Sequence, residues 1–293
     1  MTEPIMKRAK GDGVGIQLAL WESDGENIFC IHGLTANSRC WDRIASGLNP
    51  QFRVLAMDLR GRGLSDKPSK GYSIYQHVED VAALLEDQKL ERVTLMGHSL
   101  GAYISLAFAA RYPDRVRKLI LMDAGGHLEQ AQWDKIHVAI KPAVDRLGLV
   151  FATFEHYTAP LKLAPFLQPW TRFLDTYFRY ETEEVSGGVR SRTPVEAILE
   201  EITHIRDFKA KPLYQAISCP VLILRATNGI ISQEDLVLPE DAAEKMVNEM
   251  AHAKCVDVLN SNHYSILFGE NEMRDRAILN FLRKPGWDNG FGR

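Results

Sequence analysis

One serine stands where its hydroxyl group could act as a nucleophile. Ser99 lies in the Gly-His-Ser-Leu-Gly stretch at residues 97–101, which follows the apolar run 92–96 and precedes the small, apolar run 102–110. This order predicts a strand, a sharp turn and a helix, with the serine exposed at the apex. Small flanking residues are needed because the strand and the helix nearly collide there. The stretch therefore predicts covalent catalysis by Ser99.

The elements that must position this serine are indicated by apolar runs that recur between helical patterns. Several runs are continuous rather than alternating, as in strands that are covered on both faces. The predicted strands are residues 14–21, 27–31, 52–57, 92–96, 118–122, 221–224 and 254–258. Ser73 and Pro239 are predicted to begin helices that end near residues 88 and 250. The alternation predicts an α/β fold with a mostly parallel sheet wrapped by helices.

The alternation breaks between residues 127 and 212, where no strand is evident. Aromatic residues recur there at roughly helical spacing, and such stripes usually pack against a core rather than contact a ligand. Residues 183–188 are predicted to form a loop. We therefore predict a helical cap at residues 127–212, inserted into a core formed by residues 1–126 and 213–293.

Composition excludes several classes of partner. The chain has 293 residues, 45% hydrophobic content and a net charge of -3. Because no long cluster of lysine and arginine occurs, neither nucleic acid nor a membrane is expected as a partner. No metal-ligand spacing is present, and no metal or organic cofactor is expected. The cysteines are expected to be buried, reduced thiols of a cytoplasmic protein, with Cys30 as an alternative nucleophile: Cys30, Cys40, Cys219 and Cys255.

Four landmarks occur in an order that resembles the α/β-hydrolase family. They are the His-Gly-Leu-Thr stretch at 32–35, the Asp-Leu-Arg-Gly-Arg-Gly-Leu-Ser-Asp stretch at 58–66, the serine turn and the Asn-His-Tyr stretch at 262–264. The resemblance implies a mostly parallel eight-stranded sheet flanked by helices, with a helical cap after the sixth strand. It also implies an active site between the core and the cap.

The resemblance implies roles for several residues. His263 stands after the last strand, where the family keeps the base that takes the proton of the serine. Leu34 and Leu100 would supply the backbone N–H groups of an oxyanion hole. His98 is expected to orient backbone at the serine turn, and His32 to shape the oxyanion loop. The other histidines are expected at the surface or packed in the core: His77, His127, His137, His156, His204 and His252.

The acid that would orient His263 is harder to assign. Most relatives place it after the seventh strand, but here the turn after residues 221–225 contains no carboxylate. Asp123 ends the sixth strand, a position that some members of the family use, and it keeps the chain order serine, acid, histidine. We favour Asp123. The alternatives are Glu234 or Asp235 and, after them, Asp257.

A serine at the turn counts against haloalkane dehalogenases and epoxide hydrolases, which resemble this chain but carry aspartate there. The predicted reaction is hydrolysis of a carboxylic ester, lactone or activated amide of a small molecule through an acyl-enzyme on Ser99. Alternatives are a C–C bond hydrolase, an acyltransferase on the same residues and a weakly catalytic small-molecule receptor. We keep a homodimer as a candidate assembly.

Two stretches narrow the resemblance. Residues 32–38 and 63–68, together with the missing acid after the seventh strand, resemble the acetamidomethylene-succinate hydrolases of vitamin B6 breakdown. Arginines of the predicted cap could bind a substrate carboxylate, although solvated helix faces are the favoured interpretation. They are Arg146, Arg172, Arg179, Arg190 and Arg192.

Overall fold

A computed structural model describes residues 3–284. Its strands are β1 (Ile5–Lys10), β2 (Gly15–Trp21), β3 (Glu26–Ile31), β4 (Phe52–Met57), β5 (Val93–His98), β6 (Val116–Met122), β7 (Thr182–Val185), β8 (Gly188–Ser191), β9 (Val221–Ala226) and β10 (Ala253–Val258). Eight of them form one sheet in the order β1-β2-β4-β3-β5-β6-β9-β10. β2 pairs antiparallel with β1 and β4, and the other pairs are parallel. The predicted mostly parallel eight-stranded sheet is therefore confirmed.

Helices cover both faces of this sheet. The helices within residues 3–284 are α1 (Asp42–Leu48), α2 (Ile74–Asp87), α3 (Leu100–Arg111), α4 (Gln130–Asp145), α5 (Phe154–Leu163), α6 (Arg172–Glu181), α7 (Val195–Asp207), α8 (Glu240–Glu249), α9 (Ser265–Phe268) and α10 (Glu272–Arg283). Successive strand residues point to opposite faces. Leu95 accordingly packs in the apolar cluster with α2, α3 and α8, whereas Met96 packs in the cluster with α1 and α10. Burial on both faces explains the continuous apolar runs.

The predicted helix starts agree with the structure. The Ser73 hydroxyl accepts a hydrogen bond from the backbone N–H of Gln76 at 3.3 Å and so caps α2. Pro239 immediately precedes α8. β1 was not predicted, because five of its six side chains are exposed, three of them are charged, and β2 is its only neighbour among the strands of residues 3–284. An exposed edge strand lacks the apolar pattern that reveals a buried one.

The segment 127–212 lies between β6 and β9 and contains α4 to α7. It differs from the prediction in one respect, because β7 and β8 pair as a short antiparallel hairpin where a loop was expected. Four-residue strands that carry charged pairs, such as Glu183 opposite Arg190, have too little apolar alternation to be recognised. The division into core and cap at these boundaries stays a prediction. No helix within residues 3–284 is long and apolar enough to cross a membrane.

Candidate active site

Ser99 occupies the sharp turn between β5 and α3. Its backbone has φ 56° and ψ -122°, in a region that residues other than glycine rarely adopt, at a typical cost of about 1–3 kcal/mol. A Cβ atom at Gly101 would lie 2.0 Å from the carbonyl oxygen of Ile31. One at Gly97 would lie 2.1 Å from the carbonyl oxygen of Gly101. The close approach of backbone segments therefore requires the two glycines that flank the serine.

Asp123 and His263 form a buried hydrogen-bonded pair. Asp123 follows β6 with φ 50°, and its Oδ2 lies 2.7 Å from Nδ1 of His263. Its Oδ1 accepts a second hydrogen bond, at 2.9 Å, from the backbone N–H of Ala226. Two donors thus fix the carboxylate. With Nδ1–H donating to the aspartate, Nε2 of the imidazole is left to accept a proton.

The other candidate acids have different partners. Asp235 accepts hydrogen bonds from the backbone N–H groups of residues 230–232. Glu234 is exposed and pairs with a lysine, and Asp257 forms two hydrogen bonds with Arg225, at 2.6 and 2.7 Å. None of these three carboxylates hydrogen bonds to His263. The structure brings Asp123 to the histidine and leaves the three alternatives elsewhere.

Two more histidines hold backbone around the serine turn. Nε2 of His98 donates to the carbonyl oxygen of His263 at 2.9 Å, and burial lowers the pKa of His98 well below 6.5. Nδ1 of His32 donates to the carbonyl oxygen of Gly33 at 2.8 Å, and its Nε2 accepts from the N–H of Leu59 at 3.0 Å. Burial lowers the pKa of His32 to about 3. Both imidazoles are therefore neutral and orient backbone, as the sequence predicted.

The backbone N–H groups of Leu34 and Leu100 belong to a loop near Ser99 and to the first residue of α3, respectively. Leu100 begins α3, so its N–H has no acceptor within the helix, and neither N–H donates to another group within residues 3–284. A Cβ atom at Gly33 would lie only 3.0 Å from Cβ of Ser99, which shows how close the loop that contains Leu34 runs. Nε of Arg62 donates to the carbonyl oxygen of Leu34 at 2.9 Å and holds that loop. Both N–H groups are free to bind an anionic oxygen.

Arg62 belongs to a buried ionic network that joins this loop to the segment 127–212. Its guanidinium group pairs with Glu201 of α7, and the other carboxylate oxygen of Glu201 lies 2.6 Å from Nε2 of His77. All three side chains are fully buried. Burial alone would raise the pKa of Glu201, but the charges of Arg62 and His77 lower it to about 2. The sequence analysis missed Glu201, although an acid on the apolar face of an amphipathic helix is the signal that could have found it.

Ser99 and His263 line one cavity between the sheet edge and the segment 127–212. Its walls are mostly apolar, and the aliphatic side chains that contribute to them include Leu100, Ile136, Ile140, Ile202, Ile205 and Val237. Apart from Leu100, none of these residues was predicted from the sequence. Isoleucine at positions 136 and 140, four residues apart on one helix face, was the available signal. Trp133 and Tyr177 also line the cavity, while most other aromatic residues of the segment pack against each other or the core.

The five arginines considered as carboxylate ligands lie outside the cavity lining. Arg146 pairs with Glu181 and Tyr157, Arg179 with Asp175, and Arg190 and Arg192 with Glu183, while Arg172 lies over the ring of Phe173. The expectation of solvated helix faces is wrong for Arg190 and Arg192, which lie in and directly after β8. It is also wrong for Arg146, whose side chain is only 11% exposed. A buried carboxylate partner allows this charge to leave water.

Comparisons with known proteins show the family to which this chain belongs. A profile of the alpha/beta hydrolase fold matches residues 26–270, and the chain therefore belongs to that family. The 2-(acetamidomethylene)succinate hydrolase of Mesorhizobium japonicum is 28% identical over 261 residues, 89% of each chain. A 3-hydroxybutyrate-oligomer hydrolase of Cupriavidus necator is 30% identical over 257 residues, 80% of this chain and 82% of the relative.

A solved structure agrees with these relatives. The crystal structure of E-2-(acetamidomethylene)succinate hydrolase superimposes with a TM-score of 0.85 and 25% identity, and covers 96% of this chain and all of that one. The resemblance that the sequence indicated, to the family and to these hydrolases in particular, is confirmed.

Proposed function

We propose that this protein is a serine hydrolase that cleaves a carboxylic ester, lactone or activated amide of a small molecule through an acyl-enzyme on Ser99. The observation that carries the proposal is the 2.7 Å hydrogen bond between Asp123 and His263, because His263 lines the same cavity as the strained Ser99. Hydrolases of known substrates among the relatives support the reaction class.

In the first half of the reaction, Oγ of Ser99 attacks the substrate carbonyl carbon while Nε2 of His263 takes the hydroxyl proton. Asp123 holds the imidazole in the tautomer that can accept this proton and stabilises the imidazolium that forms. The carbonyl oxygen becomes an oxyanion, which accepts hydrogen bonds from the N–H groups of Leu34 and Leu100. When the tetrahedral intermediate collapses, the bond to the leaving group breaks and His263 protonates that group.

The second half of the reaction returns the enzyme to its starting state. Water attacks the acyl-enzyme ester and gives one proton to His263, and the same two N–H groups stabilise the second tetrahedral intermediate. Its collapse releases the carboxylic acid, and the proton returns from His263 to Ser99. No other group is needed to balance these steps. The homodimer and the cytoplasmic location stay predictions.

A burst assay with short 4-nitrophenyl esters tests the proposal. The wild type is expected to release one equivalent of nitrophenol rapidly if deacylation is slow, and a fluorophosphonate probe is expected to label Ser99. Ser99→Ala should lose at least about 10³-fold in kcat and all labelling. Cys30→Ala is the matched control, because Cys30 lies fully buried in β3 and burial raises the pKa of its thiol.

The control should keep wild-type turnover and labelling. If Ser99→Ala turns over esters at the wild-type rate, the proposal fails. If Cys30→Ala loses labelling while Ser99→Ala keeps it, the nucleophile is the cysteine and the proposal fails in that form.

A further inference from the structure

We infer that the substrate of this cavity carries a neutral, apolar acyl chain, and that acyl groups ending in a carboxylate are discriminated against. The inference rests on the proposed function for the position of the acyl group, but it concerns the walls of the cavity rather than the catalytic groups. It narrows esters, lactones and activated amides to those of aliphatic monocarboxylic acids.

The walls of the cavity are mostly apolar. Aliphatic side chains reach the cavity from α4, α7 and the loop before α8, and Leu267 and Phe268 close it from α9. Ile136 and Ile205 are buried, although they belong to the segment that covers the sheet edge. Apolar chains gain about 0.8 kcal/mol for each CH₂ group that they bury in such surroundings. The walls therefore favour a chain of several methylene groups.

The basic side chains that line the cavity offer no buried positive charge to a substrate carboxylate. Four residues that line the cavity, within the described part of the chain, have a basic side chain: His98, His137, Arg206 and His263. His98 is neutral and His263 is the proposed base. The other two, Arg206 and His137, have exposed side chains at the rim. Arg206 also faces Asp134 at 3.6 Å. The buried acidic side chain next to the proposed base is Asp123, and a second carboxylate nearby would gain no attraction from it. A substrate carboxylate inside the cavity would meet no buried cation.

Two buried arginines behind the walls already have carboxylate partners. Arg146 is buried nearby but pairs with Glu181, and Arg62 pairs with Glu201, so each positive charge is already neutralised. Recruiting either one would leave a glutamate buried without its partner, which is strongly destabilising. An anionic acyl chain must therefore lose its water without a compensating ion pair, and its binding is penalised.

Two esters that differ only at the chain end test the inference. 4-Nitrophenyl pentanoate ends in a methyl group, and mono-4-nitrophenyl glutarate has the same number of acyl carbons but ends in a carboxylate. Wild-type kcat/KM is expected to be at least about tenfold higher for the pentanoate. Ser99→Ala protein, in which the proposed chemistry is removed, is expected to bind the pentanoate at least about tenfold more tightly in calorimetry.

Binding to Ser99→Ala separates this inference from the proposed function. Tighter binding of the pentanoate in a protein whose wild type cleaves neither ester would support the inference and refute the proposed hydrolysis. Equal or tighter binding of the glutarate, or no binding of either ester at millimolar concentration, would overturn the inference whatever the catalytic result.

A pair of variants on α4 adds a positive control for charge. Ile136 lines the cavity and is 4% exposed, whereas Val138 on the same helix is 66% exposed and points away. Ile136→Arg should shift the ratio of kcat/KM values toward the glutarate by at least about tenfold, and Val138→Arg should leave the ratio unchanged. If Ile136→Arg does not fold, the comparison of the two esters with wild type and Ser99→Ala still decides. An equal shift in both variants would contradict the assigned wall.

Discussion

The replacement Asp123→Asn tests the hydrogen bond that orients the proposed base. The carboxylate has two donors in front of it, Nδ1–H of His263 at 2.7 Å and the N–H of Ala226 at 2.9 Å. An asparagine offers one oxygen and one NH₂ group to the same two neighbours. If its oxygen stays on Ala226, the NH₂ group faces Nδ1, and the imidazole must move its own proton to Nε2.

The size of the effect follows from that choice of tautomer. An imidazole protonated on Nε2 cannot accept the proton of Ser99, so we expect kcat to fall about 10⁴-fold, or about 5 kcal/mol in activation free energy. If the asparagine oxygen turns to His263 instead, the NH₂ group opposes the N–H of Ala226. That buried donor then loses its partner, at about 1–3 kcal/mol of folding stability. The variant therefore loses either turnover or stability.

Steady-state hydrolysis of a 4-nitrophenyl ester and urea unfolding of the same preparation measure both quantities. Asp257→Asn is a matched control, because Asp257 lies near the end of β10 in the same sheet but pairs with Arg225 and is partly exposed. We expect it to change kcat by less than about threefold. A kcat for Asp123→Asn within tenfold of wild type, with unchanged stability, would refute the reasoning. A 10⁴-fold loss in Asp235→Asn instead would move the acid to the loop after β9.

Further predictions concern stability. Glu201 has a pKa of about 2 in the folded protein against 4.5 for the free group, so its charged form stabilises the fold above pH 4.5 and this contribution is lost as the pH falls toward 2. Glu201→Gln should therefore have a free energy of unfolding in urea that is roughly 3 kcal/mol lower than that of wild type at pH 7. This difference in stability should narrow below pH 4.5. A difference that does not depend on pH would contradict the ion pair with Arg62. Gly101→Ala places Cβ 2.0 Å from the backbone of Ile31 and should cost more than about 2 kcal/mol, whereas Gly47→Ala in α1 has 3.8 Å of clearance and should be neutral or stabilising by up to about 1 kcal/mol. Equal melting temperatures for the two glycine variants would refute the collision at the turn.

The fold was predictable because the strands that form its centre are buried on both faces. β3, β5, β6 and β9 are continuous apolar runs, and each was located to within two residues at its ends. β1, in which five of six residues are exposed, has no such pattern. Local patterns report burial, and an edge strand has little.

The site was only partly predictable from the sequence. The close approach of Gly97 in β5 to Gly101 in α3 is local, so these two glycines reveal the turn in the sequence itself, whereas the approach of Gly101 to Ile31 of β3 does not follow from it. The walls of the cavity depend on how α4 and α7 pack over the sheet, which periodicity does not determine. Ile136 and Ile205 therefore emerged only from the structure, as did the pairing of Arg62 with Glu201 across more than a hundred residues.

The order of strands explains how an acid that follows β6 can reach the same histidine as an acid that follows β9. β6 lies between β5, which directly precedes Ser99, and β9. The carboxyl ends of three neighbouring parallel strands therefore meet at one sheet edge. The N–H of Asp123 donates to Leu224 of β9, and its side chain accepts from Ala226 at the end of the same strand. A carboxylate on either strand is thus within reach of a histidine that follows β10. With Asp123 after β6 as the proposed acid, the loop after β9 needs no catalytic carboxylate, and Asp235 of that loop instead binds the backbone N–H groups that shape it.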